Sequence, residues 1–358
     1  MKNCGSKREK LYCHLQQAIL QGKYQHGLQL PSEPVLSQQF QVARETLRYV
    51  LKKLEMEGLL LRTRPKGTFV NFPPAQNKGD TLIALIHPGN DIAEPRNYIL
   101  PGIQSAAIEN DLKVEVYPVD ILEIPENTQI FSNKNIKGFI IFDGCYNGEE
   151  PYIRKLQNAK VPVVMAACHP GDGKTTGFAG VTINRRQAWI DAILALKKIG
   201  HRRIATLSAS TLQGFHTDYE AYYAFLKEED IFYPELICYC DYEYDAIKRK
   251  LAYLMSLDKP PTVIMCYSDF YALKLLNAAH ELHLQIPGVC SVMGYSGYAG
   301  GKLLDTPLAT VDFKYFDIGR KCVNILLKEG LWFEQKEIDP PYIIMPHEVI
   351  LRESAALN

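Results

Sequence analysis

The chain has 358 residues, 47% apolar and 22% charged, with 40 cations against 40 acids and no net charge. That length asks for two or three domains, that composition excludes a disordered or fibrous chain, and no apolar run reaches the roughly 20 residues that span a bilayer. The charge is divided: residues 1–72 carry twelve cations against five glutamates, +7, so the other 286 residues carry 28 cations against 35 acids, −7. A small basic segment ahead of a larger acidic one suits a nucleic-acid-binding head on a different kind of body.

In chain order, MKNCGSKREK has no apolar segment behind its charges, so no secretory leader is expected and the protein is placed in the cytoplasm. Ser6 and Glu9 have capping-box spacing at the start of a first helix, and Leu11, Leu15, Ala18 and Ile19 follow at helical spacing up to Gly22. LPSEPVLSQQF (30–40) opens a second helix with Ser32 as N-cap and Pro34 in the first turn. A third runs from about Ala43 to Glu57, with Leu47, Val50, Leu51 and Leu54 as its apolar stripe and Arg44, Arg48 and Lys52 four residues apart on another face. Gly58 ends it, and LLLRTRPKGTFVN reads as two short strands around a turn at 65–67.

Three helices and a basic hairpin make a winged helix-turn-helix. Its third helix suits the DNA major groove and its wing the flanking backbone or minor groove. Residues 8–70 resemble the GntR family of bacterial regulators in the I-x-x-G ahead of L-P-S-E, in V-x-R-x-T-x-R, in L-x-x-E-G-L and in the G-T-F-V wing end. The resemblance implies DNA contacts from Arg44, Thr46 and Arg48, with Lys66 and Gly67 in the wing; Lys52 and Arg64 join them as cations of the same helix face and wing. Pro34 stands where the family has an arginine, and Ala43 where it has a serine or threonine, which removes an N-cap of about 1 kcal/mol.

NFPPAQNKGD (71–80) reads as a linker, giving a head of 1–72, a linker of 73–80 and a body of 81–358. Short apolar runs then alternate with helical patterns near 98–110, 150–159, 186–199, 217–228, 243–256 and 270–282. The fold class is α/β with parallel sheets covered by helices on both faces. GDGKTTGFAG (171–180) lacks phosphate-loop spacing and is expected to be a plain loop. No dinucleotide fingerprint, catalytic triad or zinc motif occurs, the nine cysteines lack CxxC spacing and the nine histidines are dispersed. Neither an enzyme, a cofactor nor a metal is expected, and the cysteines are expected to be reduced core thiols.

The strings IGHRRI (199–204), IPGVCSVMGY (286–295) and LATVDFKYFDIG (308–319) resemble the LacI/periplasmic-binding-protein regulatory domain. The two resemblances together match an arabinose-repressor-like hybrid. This one implies two lobes around a cleft, with the chain crossing near 183–186, 308–312 and 333–337. Lobe 1 is then about 81–184 and 311–334, and lobe 2 about 185–310 and 335–358. It also implies a homodimer on a near-palindromic operator, with a small effector in the cleft. The usual sugar anchors are mostly replaced: Ala167, Asp218, Ser268 and Ser296–Gly297 stand at four of their positions, and Asp269 is retained. Candidate effector residues are Arg96, Asn97, Tyr98, Tyr146, Gln187, Asp218, Tyr267, Asp269 and Ser296, with Arg185 as a further contact and Tyr298 among the rings at strand ends. Two aspartates without the arginine favour a neutral or cationic effector, a neutral sugar first. The alternatives are a non-sugar ligand or none, and more remotely a solute-binding protein or an enzyme.

Overall fold

The computed structural model describes residues 7–20, 24, 28–57, 59–63, 67–71, 80–87, 94–123, 135–142, 146–209, 219–328, 333 and 339–356. The chain forms two compact units: Met1–Pro88, Ile108–Phe139 and Glu149–Val161 in the first, and Gly89–Ala107, Ile140–Gly148 and Pro162–Asn358 in the second.

The first unit contains the head. Helices α1 (Lys7–Leu20), α2 (Glu33–Gln39) and α3 (Arg44–Met56) precede the antiparallel strands β1 (Leu60–Thr63) and β2 (Gly67–Val70), paired from Leu60↔Val70 to Thr63↔Gly67. The predicted stripe of Leu47, Val50, Leu51 and Leu54 is buried against Leu11, Leu15, Ile19 and Leu36. Ser32 is the N-cap of α2, but its hydroxyl makes no capping bond; its carbonyl takes the Leu36 N–H. Ser6, Gly22 and Gly58 lie outside the described residues. The same unit holds the parallel pair β3 (Asp80–Ile86) and β4 (Lys113–Pro118), with β5 (Asn135–Phe142) on the other side of β3 in the order β5-β3-β4, and helix α5 (Pro151–Gln157). Strand β5 (Asn135–Phe142) supplies its first residues here and its last three to the second unit.

In the second unit, α4 (Arg96–Ile108, all but its last residue) accompanies β6 (Val163–Cys168), α6 (Asp172–Thr176), β7 (Ala179–Ile183) and, from far along the chain, β13 (Tyr342–Met345), with strand order β13-β7-β6-β5. Helices and strands then alternate: α7 (Arg185–Lys198), β8 (Ile204–Ala209), α8 (Tyr219–Glu228), β9 (Ile237–Cys240), α9 (Tyr244–Met255), β10 (Val263–Cys266), α10 (Asp269–Glu281) and β11 (Ser291–Met293). Strands β8 to β11 form a parallel sheet in the order β11-β10-β8-β9. The remaining elements are β12 (Thr310–Asp312), α11 (Tyr315–Lys328), β13 (Tyr342–Met345) and β14 (Glu348–Ile350); β12 and β14 pair antiparallel.

Two expectations change. The loop expected over 171–180 contains α6, because the Asp172 carboxylate gathers the His169 N–H at 2.6 Å and the Tyr146 N–H at 3.0 Å, while Thr176 Oγ1 donates to the Asp172 carbonyl at 2.8 Å. A last crossing near 333–337 is too early: β13 still pairs with β7, from Tyr342↔Gly180 to Met345↔Ile183, and the change of sheet follows Met345. Cys168, Cys238, Cys240, Cys266, Cys290 and Cys322 are buried free thiols, and Cys13 is exposed. No described helix is long and apolar enough to cross a membrane.

Candidate DNA-binding face and effector site

On α3, burial of the leucine and valine stripe turns Arg44, Arg48 and Lys52 outward, and all three are exposed; Thr46 is half-buried. Glu33, at the start of α2, accepts from Arg48 Nε at 2.7 Å and lies 3.3 Å from Arg62 on β1, which is also 3.8 Å from Glu55. One carboxylate therefore ties the recognition helix to the wing strand and leaves the outer nitrogens of Arg48 toward solvent. Gly67 opens β2 with φ +120, a conformation that favours glycine. Arg64 and Lys66 lie outside the described residues.

The second unit holds an aromatic group built at strand ends, where open α/β sheets bind their ligands. Tyr267 follows β10, Tyr295 follows β11, Phe313 and Tyr315 follow β12, and Arg185 follows β7 as the first residue of α7. The Arg185 guanidinium lies 5.3 Å from the Phe313 ring centre, and the Tyr295 hydroxyl donates to the Arg185 carbonyl. Tyr295 stands edge-on to Phe313 at 4.7 Å and to Trp189 at 5.0 Å, and Trp189 Nε1 donates to the Tyr222 hydroxyl at 3.1 Å. Tyr98, on α4, stacks on Tyr298 at 4.0 Å and 17°, and Tyr298 lies 5.2 Å from Phe270 and 5.9 Å from Tyr315.

The electrostatics are one-sided. Burial pushes the phenols of Tyr295, Tyr298 and Tyr315 up, and that of Tyr222 up to about 12, so the rings are neutral at physiological pH. Burial opposes the charge on Arg185, but a guanidinium keeps its proton throughout the physiological range, so it stays charged. Among the described residues no carboxylate forms an ion pair with Arg185.

Of the predicted effector residues, Tyr98 and Tyr267 belong to this group. Asn97 is exposed beside Tyr98. Gln187 is exposed on α7, with its amide on Asp191 at 2.8 Å and its N–H on Asn184 Oδ1 at 3.0 Å. Four others turn inward. Arg96 is buried 2.5 Å from Glu94. Tyr146 is buried, donating to the Phe142 carbonyl at 2.6 Å. Ser296 is buried, its N–H on Thr310 Oγ1 at 3.3 Å. Asp269 is 1% exposed, accepting from the Tyr298 N–H at 2.7 Å and the Thr310 hydroxyl at 2.6 Å; burial pushes it up to about 6 against those bonds. It braces the Tyr298 loop and presents no oxygen to a ligand. Asp218 lies outside the described residues. Trp189, Tyr295, Phe313 and Tyr315 were not among the predicted residues; of them only Phe313 directly follows a strand, at Asp312.

Residues 7–70 match the family of bacterial regulatory proteins of the gntR type, and residues 193–355 match the periplasmic binding protein-like domain. The chain joins a gntR-family regulatory head to a periplasmic binding protein-like body. It is a DNA-binding regulator with a ligand-binding domain, and not an enzyme. The regulator is 25% identical over 370 residues to the arabinose metabolism transcriptional repressor of Geobacillus stearothermophilus, covering 96% of this chain and 97% of that one. It is 27% identical over 284 residues to the HTH-type transcriptional repressor CytR of Escherichia coli K12, covering 78% and 80%. Its fold is shared with a LacI-family regulatory protein from Chloroflexus aggregans: TM-score 0.62, 22% identity, 76% of this chain and 98% of that one.

Proposed function

We propose that the regulator is a repressor that binds a near-palindromic duplex operator as a homodimer and is controlled by a small effector held in its body. In this reading residues 1–72 are the DNA-binding domain, 73–80 a linker and 81–358 the sensing domain. Arg44, Thr46, Arg48 and Lys52 enter the major groove, and Arg64, Lys66 and Gly67 lie along the backbone or minor groove. The observation that carries it is the exposed cationic face of α3, opposite a fully buried apolar stripe and braced through Glu33 to the wing strand. The effector is sugar-like: the partly exposed rings of Tyr98 and Tyr267 can stack on the apolar face of a sugar, and a relative spanning nearly the whole chain is named for arabinose metabolism. An effector that favours one arrangement of the body shifts the DNA-binding equilibrium by its differential affinity for the two states.

Selection from random duplex DNA with the full chain tests the first step. The expected outcome is enrichment of a site with two-fold-related halves. Arg44→Ala should weaken that site by roughly 1–3 kcal/mol and relax its sequence at one position in each half. Failure to enrich any sequence refutes the reading.

A further inference from the structure

In the head, α1 and α3 meet along a ladder of three rungs: Arg8 with Tyr49, Tyr12 with Lys53, and Gln16 with Glu57 at the C-cap of α3. The Arg8 guanidinium lies 4.3 Å from the Tyr49 ring centre, and Lys53 Nζ lies 3.8 Å from that of Tyr12. The second and third rungs are closed. The Tyr12 hydroxyl donates to Glu57 at 2.7 Å and accepts from the Gln16 amide at 2.7 Å, and burial together with the Glu57 bond pushes the phenol up. The first rung is open. Arg8 is exposed, Tyr49 is 52% exposed, and the ion pairs among the head's described residues run from Arg48 and Arg62 to Glu33 and Glu55, without Arg8. The open end is also the one nearer Arg44 and Arg48. Tyr49 follows Arg48 directly and stands three residues before Lys52, so the two share one flank of α3 and Arg8 lies beside the cationic face. The charge of Arg8 does not stabilise α1, since the helix dipole opposes a cation in the first turn. A guanidinium set over a ring engages one face and leaves its in-plane N–H groups for an oxygen acceptor.

We propose that Arg8 is a further DNA contact of the head, on a backbone phosphate beside the groove that α3 enters, and that Tyr49 is the positioning residue that aims it. The contact rests on the reading of residues 1–72 as a DNA-binding domain, and it adds to the recognition helix and wing a residue of the first helix. The target is a phosphate rather than a base edge, because α3 and its own side chains fill the groove while Arg8 stands at its side on α1. A phosphate oxygen supplies the counter-charge that Arg8 does not find among the described residues of the head, through a charge-assisted bond. The Tyr49 ring fixes one face of the guanidinium before DNA arrives, so less side-chain freedom is lost on binding.

The test measures binding of the full chain to the operator enriched from random duplexes, by fluorescence anisotropy across a range of potassium chloride concentrations, with a phosphate-ethylation interference map of the same operator. Arg8→Gln should bind about tenfold more weakly at low salt, and the slope of log affinity against log salt should fall by about two, one phosphate for each head of the dimer. The loss should be equal on operators with a changed base pair. One ethylated phosphate in each half-site should interfere with the native chain and not with Arg8→Gln. Arg8→Lys should keep the slope and part of the affinity. Tyr49→Phe should bind as the native chain does, whereas Tyr49→Leu, with every charge in place, should bind severalfold more weakly and lose the same phosphate from the map. Melting curves without DNA show whether each variant folds; should Arg8→Gln not fold, the Tyr49→Leu map decides. An unchanged slope and map in Arg8→Gln overturns the contact, and a loss that relaxes the sequence at one base pair overturns its assignment to a phosphate. Native binding and a native map in Tyr49→Leu overturn the positioning role. A native chain that enriches no operator removes the DNA-binding reading and this contact with it, while Arg8→Gln matching a native chain that binds its operator removes this contact alone.

Discussion

Asp269 opens α10, and the partners of its two oxygens come from distant segments, the Tyr298 N–H and the Thr310 hydroxyl. Burial still holds its carboxyl at about 6, against 3.8 for an ordinary aspartate. Between those values the folded chain keeps a proton that the unfolded chain releases, so this group stabilises the fold fully below about 4 and loses that contribution as pH rises through about 6. His201 acts in the opposite sense. It is buried between Thr262 Oγ1 at 2.9 Å and the Ala355 carbonyl at 3.2 Å, and burial lowers it from 6.5, so its contribution is present above that value and fades as pH falls. Asp269→Asn removes one of these opposing slopes. The melting temperature of the native chain relative to that variant should therefore fall between pH 4 and pH 6; a difference independent of pH would show that Asp269 titrates as an exposed carboxylate. The sequence located Asp269, because it directly follows a legible apolar strand. It could not tell which way the side chain turns, since that depends on partners 29 and 41 residues away. Arg185 was legible only as a fallback contact for the same reason: its significance comes from three other strand ends meeting it.

At the scale of elements, α4 and α11 cross with their backbones in near contact. A Cβ on Gly102 would sit 1.9 Å from the Phe316 carbonyl oxygen, and one on Gly319 would sit 2.2 Å from that of Ile99. Such clashes cannot be relieved by turning a side chain, so Gly102→Ala or Gly319→Ala must force the helices apart, at a cost of about 1–3 kcal/mol each. Thermal melting should show both variants destabilised, and the double variant less so than the sum, because both relieve the same crossing. An unchanged midpoint for either would mean that the helices already stand farther apart. Gly319 closes the LATVDFKYFDIG string, so the sequence marked the position, while its partner Gly102 sits in a helix with no comparable signal. The strands and most helices of the body were legible because buried parallel strands are continuous apolar runs. The short helix α6 was not, because side-chain and backbone bonds around Asp172, rather than any periodicity, make it.

For the molecule as a whole, the homodimer proposed above would have a physical starting point in the first unit. Strand β4 ends the order β5-β3-β4, so among the described residues one side of its backbone has no neighbouring strand. Val116 on that strand is 38% exposed, and Ile108, at the end of α4, is 75% exposed. Edge strands left bare invite pairing with another chain, and a two-fold axis would repeat the same patch on both copies, as a near-palindromic operator requires. Light scattering of the full chain at tens of micromolar should give twice the mass of one chain. Ile108→Glu with Val116→Glu should return a single chain, because burying two like charges across a two-fold axis places them against their own copies. The same variant should lose most of its affinity for a complete operator while binding an isolated half-site as the native chain does, since each head keeps its own core and contacts. A native chain that scatters as one mass, or a double variant that remains dimeric, would place the partner surface elsewhere. A variant that also loses the half-site would show that these residues support the fold of the first unit and not its pairing.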